Sequence, residues 1–522
     1  MNTENSRMYI LAAWSLIAGL TIFRIFYSGA FLLVADETNY WQWGRHLALG
    51  YHDNSPMIGW AIRFSTELLG QTEMAVRLPS ILSMSVACLF LVSMASRYIS
   101  PFAAFNTALL TQGILEFNVG GLLATTDALQ AAGWAGTSYF VIRGYESGKW
   151  SHWLLAGFWF GFGILSKYTM VIFLPGAYIF GLLSKEHRKQ LFSIRPYIGL
   201  LLGFLMFFPV VYWNAVNGWK SVRHVAHIGG ANESFALHIK YFGDYLGSQA
   251  ALLSPLVFLL IIFAWINVFR KDGQQWIYKY LFWTSFPMVA MFAILSLHRR
   301  VYGNWPGAGY LTASVLAGAF YARRKSSEGE KPGIGQRLWP WANVTSYLLT
   351  AVLLAHVVWP ILPLPKHLDR VAGETIGWKH LGRNAGIVMK AMPRQDRTFL
   401  FGDSYQLASE LAFYTPGQPQ TVSINKWRRP NVYDYWWEDK DILGWDAVGV
   451  TIDSKDHKTK LIEVFERVDD PIKVEAYRSP IFGKAKRSRE PANVFYIYRA
   501  YGFKGGLRWQ PKNKADVRAV GR

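Results

Sequence analysis

The sequence predicts a polytopic α-helical membrane protein of about eleven transmembrane helices, followed by a soluble α/β domain on the external face. Three observations predict it. The 522 residues are 52% hydrophobic and only 17% charged, where a soluble chain carries about 25% charged residues. Apolar runs approaching the roughly 20 residues that cross a bilayer recur from residue 8 to residue 359. Beyond that point the runs stop, and strand and turn patterns take over.

The same composition excludes several function classes. A net charge of +20 invites a nucleic-acid reading, but the basic residues sit in loops between apolar runs. The single cysteine, Cys88, rules out a disulfide within the chain and a zinc–cysteine cluster. No G-x-G-x-x-G or P-loop is present, so nothing argues for a nucleotide site. No internal repeat is visible.

In chain order, the candidate spans are 8–34, 79–97, 101–122, 127–143, 152–166, 168–184, 197–214, 250–269, 278–297, 305–322 and 341–359. The first is too long for a signal peptide and lacks a small-residue cleavage site before Asp36. With Arg7 on the cytoplasmic side, the alternate loops hold Arg97; Arg143 and Lys149; Lys185, Arg188, Lys189 and Arg195; Arg270 and Lys271; and "RRKSSEGEKPGIGQR". All the strongly basic loops then share one side, as the positive-inside rule requires. Two domains are expected: 1–360, membrane-embedded and including loop helices over 36–78, and 361–522, external and soluble. In the latter, "RTFLFGDSYQLASELAFYTPG" reads as strand, turn and helix, and "WDAVGVTI" and "ANVFYIYRAY" read as strands by their Val, Ile, Tyr and Phe content. The tail after Pro480 is basic: a solvated tail, or an attraction to anionic headgroups or phosphorylated glycans.

On this topology the ionisable residues that break the apolar pattern fall on the external face. They are Asp36, Glu37 and Asp53 in the first loop, Asp127 in "TTDALQ", Lys167 in "LSKYT", and His298, Arg299 and Arg300 in "HRRVYGNW". His224, His227 and His238 lie in a further external loop. Each has a bland reading. Asp36 and Glu37 could cap the loop helix, Asp127 could cap its own helix, the arginines could be interfacial anchors, and the histidines ordinary loop residues. Yet a charge at membrane depth costs about 2.5–3.5 kcal/mol on insertion scales, so such groups usually pair or serve a site. Acids suit proton abstraction or cation coordination; Lys and Arg suit a phosphate. "TNYWQWGRHLALG" and "MIGWAIRFSTELLG" read as amphipathic helices lying in the interface, Trp and Leu down. Together these features describe a cavity fed from the bilayer.

At this point the chain resembles a known group. "ADETNYWQWGRHLALGYHDNSPMIGW", leading into "VRLPS", is similar to the first external loop of the GT-C glycosyltransferases, in the bacterial branch related to protein O-mannosyltransferases and the lipid A aminoarabinose transferase. Further matches are "TTDALQ", "KWSHWLLAGFWFGFGILSKYT", "HRRVYGNWPGAGYL" and "FGDSYQLASELAFYTPGQP". The likeness runs over most of the chain. It implies the GT-C fold and an inverting transfer of sugar from a polyprenyl monophosphate to a lipid A, glycan or protein acceptor, in the bacterial inner membrane with the C-terminal domain periplasmic. It implies Asp36 as the general base, with Glu37, Asp53 and Asp127 as further catalytic residues. Lys167, His298, Arg299 and Arg300 would bind the lipid phosphate. A divalent cation is the one cofactor the resemblance leaves open, and no nucleic acid is expected as a partner. One departure stands out. The aminoarabinose transferase has Glu-Lys-Pro-Pro where this chain has Asp53-Asn54-Ser55-Pro56, so its phosphate-binding Lys is missing and the donor sugar or the acceptor is expected to differ. The rival classes are a transporter or flippase for a lipid-linked glycan and a non-catalytic binding protein. A transporter usually carries inverted repeats and midplane charges, and neither is visible.

Overall fold

The computed structural model describes residues 3–230, 236–270, 275–325, 333–362, 364–365, 367–452, 457–478 and 490–510. Lys271, part of the loop 323–337 and most of the basic tail lie outside the described residues. The chain divides into two compact units. The first comprises Met1–Ser28, Asn54–Ile58 and Arg77–Val352; the second comprises Gly29–Asp53, Gly59–Val76 and Leu353–Arg522.

The first unit is helical and belongs to a membrane protein. Among the described residues, five helices are long and apolar enough to cross a bilayer: Glu4–Tyr27, Glu73–Tyr98, Ile194–Val216, Trp276–Ser296 and Ile334–Val358. A sixth span is possible if Ile239–Leu253 and Pro255–Asn267, bent by 104° at their junction, count as one. Most of the other expected runs are helical too, but interrupted or short. The run 101–122 breaks at Ile114 into Pro101–Gly113 and Leu115–Leu122. The run 168–184 opens as a 3₁₀ turn, Tyr168–Ile172, before the helix Phe173–Leu183. Runs 127–143, 152–166 and 305–322 become Thr126–Ser147, Trp150–Ser166 and Gly307–Lys325. Apolar length in a sequence does not register such breaks, because each is set by the local hydrogen bonding of one or two residues.

Small residues hold these helices together, as expected where lipid tails remove the hydrophobic drive between helices. Gly157 of the helix Trp150–Ser166 lies directly against Gly199 of Ile194–Val216; a Cβ on Gly157 would collide with the Gly199 carbonyl. The basic loops gather at one end. Arg97 and Arg143 both pair with Glu146, the former at 3.2 Å, and Arg195 donates to the carbonyl of Gly148 at 2.7 Å. Asp127 lies at the other end of the same 22-residue helix that carries Glu146, about 30 Å away at 1.5 Å per residue.

The second unit is built on a six-stranded mixed sheet: β1 Thr398–Gly402, β2 Thr421–Ser423, β3 Asp446–Thr451, β4 Phe465–Val468, β5 Ile472–Ala476 and β6 Asn493–Phe503. The order is β2-β1-β3-β6-β4, with β5 also on β6. β1 pairs parallel with β2 and β3, and β6 runs antiparallel to its neighbours. The three strands expected from sequence are β1, β3 and β6. Between β1 and β2 the helix Tyr405–Tyr414 starts at Ser404, whose hydroxyl accepts from the Leu407 N–H.

This unit also recruits the first loop, which was expected to go with the membrane domain. The helix Ala35–Arg45 packs on Tyr405–Tyr414. Trp41 meets Phe413 edge-on at 4.9 Å between ring centroids, Gln42 donates to the Tyr433 hydroxyl at 3.0 Å, and the Leu33 N–H donates to the Tyr414 hydroxyl at 2.6 Å. Trp41 and Trp43 are therefore buried in protein, not turned down into an interface. The reason is visible in the sequence: Thr38, Asn39 and Gln42 share the helix with them and are buried as well, so this helix carries no lipid-compatible face. Phe64, Leu68 and Leu69 of the next helix, Met57–Leu69, are exposed, which fits the interfacial reading of that segment.

Candidate functional site

Two groups of ionisable residues emerge, one in each unit. In the first unit the centre is an ion pair. Asp127 stands in the first turn of Thr126–Ser147, and Lys167 fills the extended joint between Trp150–Ser166 and the 3₁₀ turn. Lys167 Nζ donates to Asp127 Oδ1 at 2.7 Å, and Asn304 Nδ2 approaches Oδ2 at 3.3 Å. The Asp127 carboxylate thus serves side chains rather than its own helix end. Ser80, the last residue of "VRLPS", accepts from the Thr125 N–H at 3.2 Å and so holds the turn that carries Asp127. Arg77 of the same motif is fully buried and donates to the Ser28 carbonyl at 2.6 Å, closing the end of the first helix.

Beside this pair lies a cavity of about 210 Å³ lined by Glu116, Asp127, Gln130 and Asn304 among apolar side chains. Glu116 is brought there by the break at Ile114. Asn118 Nδ2 donates to the carbonyls of Gln112 and Ile114 at 2.8 and 2.9 Å; Ile114 also accepts from the Asn118 N–H at 3.1 Å, so it is the Gln112 carbonyl that the side chain keeps from being bare. Arg299 belongs to the same unit and meets a helix end. Its guanidinium donates to the carbonyls of His227 and, at 3.2 Å, Ile228, the last turn of the helix Lys220–Ile228, where a cation also suits the helix dipole. His298 Nδ1 lies 3.2 Å from the Ala236 N–H, Arg300 is exposed, and the His238 N–H donates to the Leu297 carbonyl at 2.6 Å. His227 is buried and His224 half-buried.

In the second unit, Asp36 and Glu37 share the first turn of Ala35–Arg45 but face different surroundings. Glu37 is fully buried and accepts from the Val34 N–H at 2.9 Å, which is the capping role. Asp36 stands on the open side, accessible to solvent by area. The protein mass around it nonetheless thins its hydration, and this burial is the main cause that pushes its carboxyl up from 3.8 to about 6. Glu374, Asp53 and Glu37 add like charge, and Arg429 pulls weakly the other way. Asp53 is half-buried in the "YHDN" turn beside His52, whose ring lies 6.2 Å from that of Tyr435. Tyr405, the first residue after the Ser404 cap, feels both Asp36 and Asp53, and its phenol is raised chiefly by burial.

The structure therefore brings together Asp127 with Lys167, and Asp36 with Asp53. It places Arg299 and His298 at a helix end and a loop. Sequence reasoning missed Glu116, Asn304, Glu374, Tyr405 and Arg429. Asn304 and Tyr405 lie inside motifs that carried the family resemblance. Glu116 gave the plainest signal, a lone carboxylate inside an apolar run.

Comparisons with known proteins bear out the resemblance to GT-C glycosyltransferases. Residues 53–213 match the family described as dolichyl-phosphate-mannose-protein mannosyltransferase. The chain is similar to the lipid A galacturonosyltransferase RgtD of Rhizobium johnstonii, 25% identical over 309 residues. That match covers 58% of this chain and 64% of the relative, so the chain aligns with just under two thirds of the relative's length. The fold is that of ArnT from Cupriavidus metallidurans solved with undecaprenyl phosphate, with a TM-score of 0.60 over 92% of this chain and 97% of that one at 13% identity. It is also similar to the archaeal oligosaccharyltransferase AglB of Archaeoglobus fulgidus, solved with an inhibitory peptide and a dolichol phosphate. There the TM-score is 0.50 over 85% of this chain and 69% of that chain, at 11% identity.

Proposed function

We propose that this membrane protein of GT-C fold is an inverting glycosyltransferase that moves a sugar from a polyprenyl monophosphate to a lipid A-like, glycan or protein acceptor at the periplasmic face of the bacterial inner membrane. The observation that carries this reading is Asp36. It is a carboxyl outside the membrane spans, shifted to about 6 by burial and neighbouring acids, and so suited to accept a proton near neutral pH. In the reaction, the acceptor oxygen attacks the anomeric carbon as its proton passes to Asp36. The bond between that carbon and the phosphate oxygen breaks, and the polyprenyl phosphate leaves with the electron pair. Asp53 orients the acceptor. The ammonium of Lys167 stabilises the departing phosphate by a charge-assisted hydrogen bond, with His298, Arg299 and Arg300 as further hydrogen-bonding groups for the lipid phosphate. Asp127 holds Lys167 in place before the donor arrives.

The relatives support a lipid-linked donor, since ArnT was solved with undecaprenyl phosphate and AglB with a dolichol phosphate. They support a lipid A-like acceptor through RgtD. The experiment is direct. Purified protein is incubated with labelled polyprenyl-phosphate sugars and candidate acceptors, and products are identified by mass spectrometry. A glycosylated acceptor is expected. Carrier-linked sugar crossing a vesicle bilayer without any transfer would overturn the reading in favour of a flippase. Orientation is checked with impermeant thiol reagents, since Cys88 is buried. Cysteine at exposed Lys390 is expected to label in spheroplasts, and cysteine at exposed Lys149, at the basic end, is not.

A further inference from the structure

The cavity beside the Asp127–Lys167 pair holds an acid that the mechanism above leaves unused. Glu116 is 9% exposed, and among the described residues its Oε2 makes no hydrogen bond. Burying an unsatisfied polar group costs about 1–3 kcal/mol, a cost normally tolerated where a ligand meets the group. The surroundings are arranged around this carboxyl. Gly307 opens the helix Gly307–Lys325 against it, and a Cβ at Gly307 would collide with Glu116 Oε1. Asn118 holds the broken backbone from which Glu116 projects.

The cavity wall has two chemistries. Hydrogen-bonding groups, Glu116, Asp127, Gln130 and Asn304, stand among apolar ones such as Met84 and Phe117. An isoprenoid tail would leave the polar groups unmet, and a bare cation would leave the apolar ones unused. A sugar ring satisfies both, through hydroxyls at its edge and C–H groups on its faces. The volume of about 210 Å³ is on the scale of one ring rather than an oligosaccharide. Lys167, assigned above to the donor phosphate, is paired to an aspartate of the same wall, so a sugar carried on that phosphate is tethered at the cavity.

We propose that this cavity is the subsite for the transferred sugar and that Glu116 hydrogen-bonds one of its ring hydroxyls, making Glu116 a specificity-determining residue. The proposal rests on reading the protein as a polyprenyl-phosphate-sugar transferase. The probes are citronellyl phosphates carrying glucose, galactose, mannose or galacturonic acid, followed by mono-deoxy forms of whichever the wild type uses best. In the wild type, removing one particular hydroxyl is expected to lower kcat/KM about 10- to 100-fold, because the buried carboxyl is left unmet. In Glu116→Ala the same removal is expected to cost nothing, while Glu116→Gln, which keeps hydrogen-bonding capacity, retains part of the discrimination. If every deoxygenation costs wild type and both variants equally, the subsite is overturned while transfer stands. A binding readout separates the other case. Thermal stabilisation by citronellyl phosphogalactose is expected to exceed that by bare citronellyl phosphate in the wild type and to equal it in Glu116→Ala. That pattern without any measured transfer keeps the subsite and removes the transferase reading; equal stabilisation in the wild type removes the subsite. Should Glu116→Ala fail to fold, Glu116→Gln carries both comparisons.

Discussion

Asp127 and Asp36 both stand in the first turn of a helix, yet the two units treat them oppositely. Asp127 is met by the Lys167 ammonium at 2.7 Å and by an amide from Asn304. At Asp36 burial is the main influence, and neighbouring carboxylates add to it. An opposite charge stabilises the ionised form, whereas burial and like charge destabilise it. The first arrangement fixes a cation where a phosphate can later take it. The second raises the affinity of a carboxyl for a proton. The contrast teaches that an acid's neighbours, more than its place on a helix, decide whether it anchors or accepts.

Neutralising Asp36 should have the largest effect. Asp36→Asn keeps the shape and removes the charge, and a positioned carboxylate contributes about 10²–10⁴-fold to proton transfer. Loss of kcat on that scale is expected, with donor binding retained. In the wild type, kcat/KM should rise with pH through about 6 and then level off, because only the ionised carboxyl accepts a proton. The variant should lack this limb. A limb that persists in Asp36→Asn would move the proton acceptor to another group.

The effect of Lys167→Ala is expected to be smaller and of another kind. Losing one charge-assisted hydrogen bond to phosphate costs roughly 1.5–3 kcal/mol, or about 10- to 100-fold. It should appear as a higher KM for the lipid donor, with the acidic limb of the pH profile in place. A variant with altered pH profile and unchanged donor KM would reverse the roles given to the two groups.

How much of this could be read in the sequence follows from what sets each feature. The helical membrane part and the strands β1, β3 and β6 were legible because apolar run length and β-branched content decide them locally. The break at Ile114 was not, since carbonyl satisfaction by Asn118 decides it. Asp36, Asp127 and Lys167 were legible as charges in the wrong solvent. The pairing of Asp127 with Lys167 was not, because it joins helices 40 residues apart in the chain. The recruitment of the first loop into the C-terminal unit was also hidden, although the buried Thr38, Asn39 and Gln42 mark a helix face that lipid would not accept.

Arg299 tests where the comparison stops. Its bonds to the carbonyls of His227 and Ile228 give it a structural duty in addition to any role toward the donor. Arg299→Ala should cost about 1 kcal/mol of stability, a shift of roughly 2 °C in Tm, with a donor KM change smaller than that of Lys167→Ala. An unchanged Tm with a large donor defect would show that the arginine leaves the helix end to bind phosphate.

The smallest expected effect is on stability, and it has a definite sign. The Asp36 carboxyl is raised from 3.8 to about 6 on folding. Between those values the folded protein binds more protons than the unfolded chain, so unfolding free energy falls as pH rises through the window. Above about pH 6 the penalty is fully present, and below about pH 4 it is gone. Asparagine has no charge to desolvate, so Asp36→Asn should be more stable than wild type at about pH 7.5, with the gap closing toward pH 4. Because the side chain is accessible to solvent, screening discounts the gain to less than about 1 kcal/mol, or roughly 1–2 °C in Tm. Thermal melts of the two proteins across that range decide it. A variant less stable than wild type at neutral pH would mean that Arg429 outweighs burial and the surrounding acids. Asp36 would then be an anchor like Asp127, and the difference between the two units would vanish.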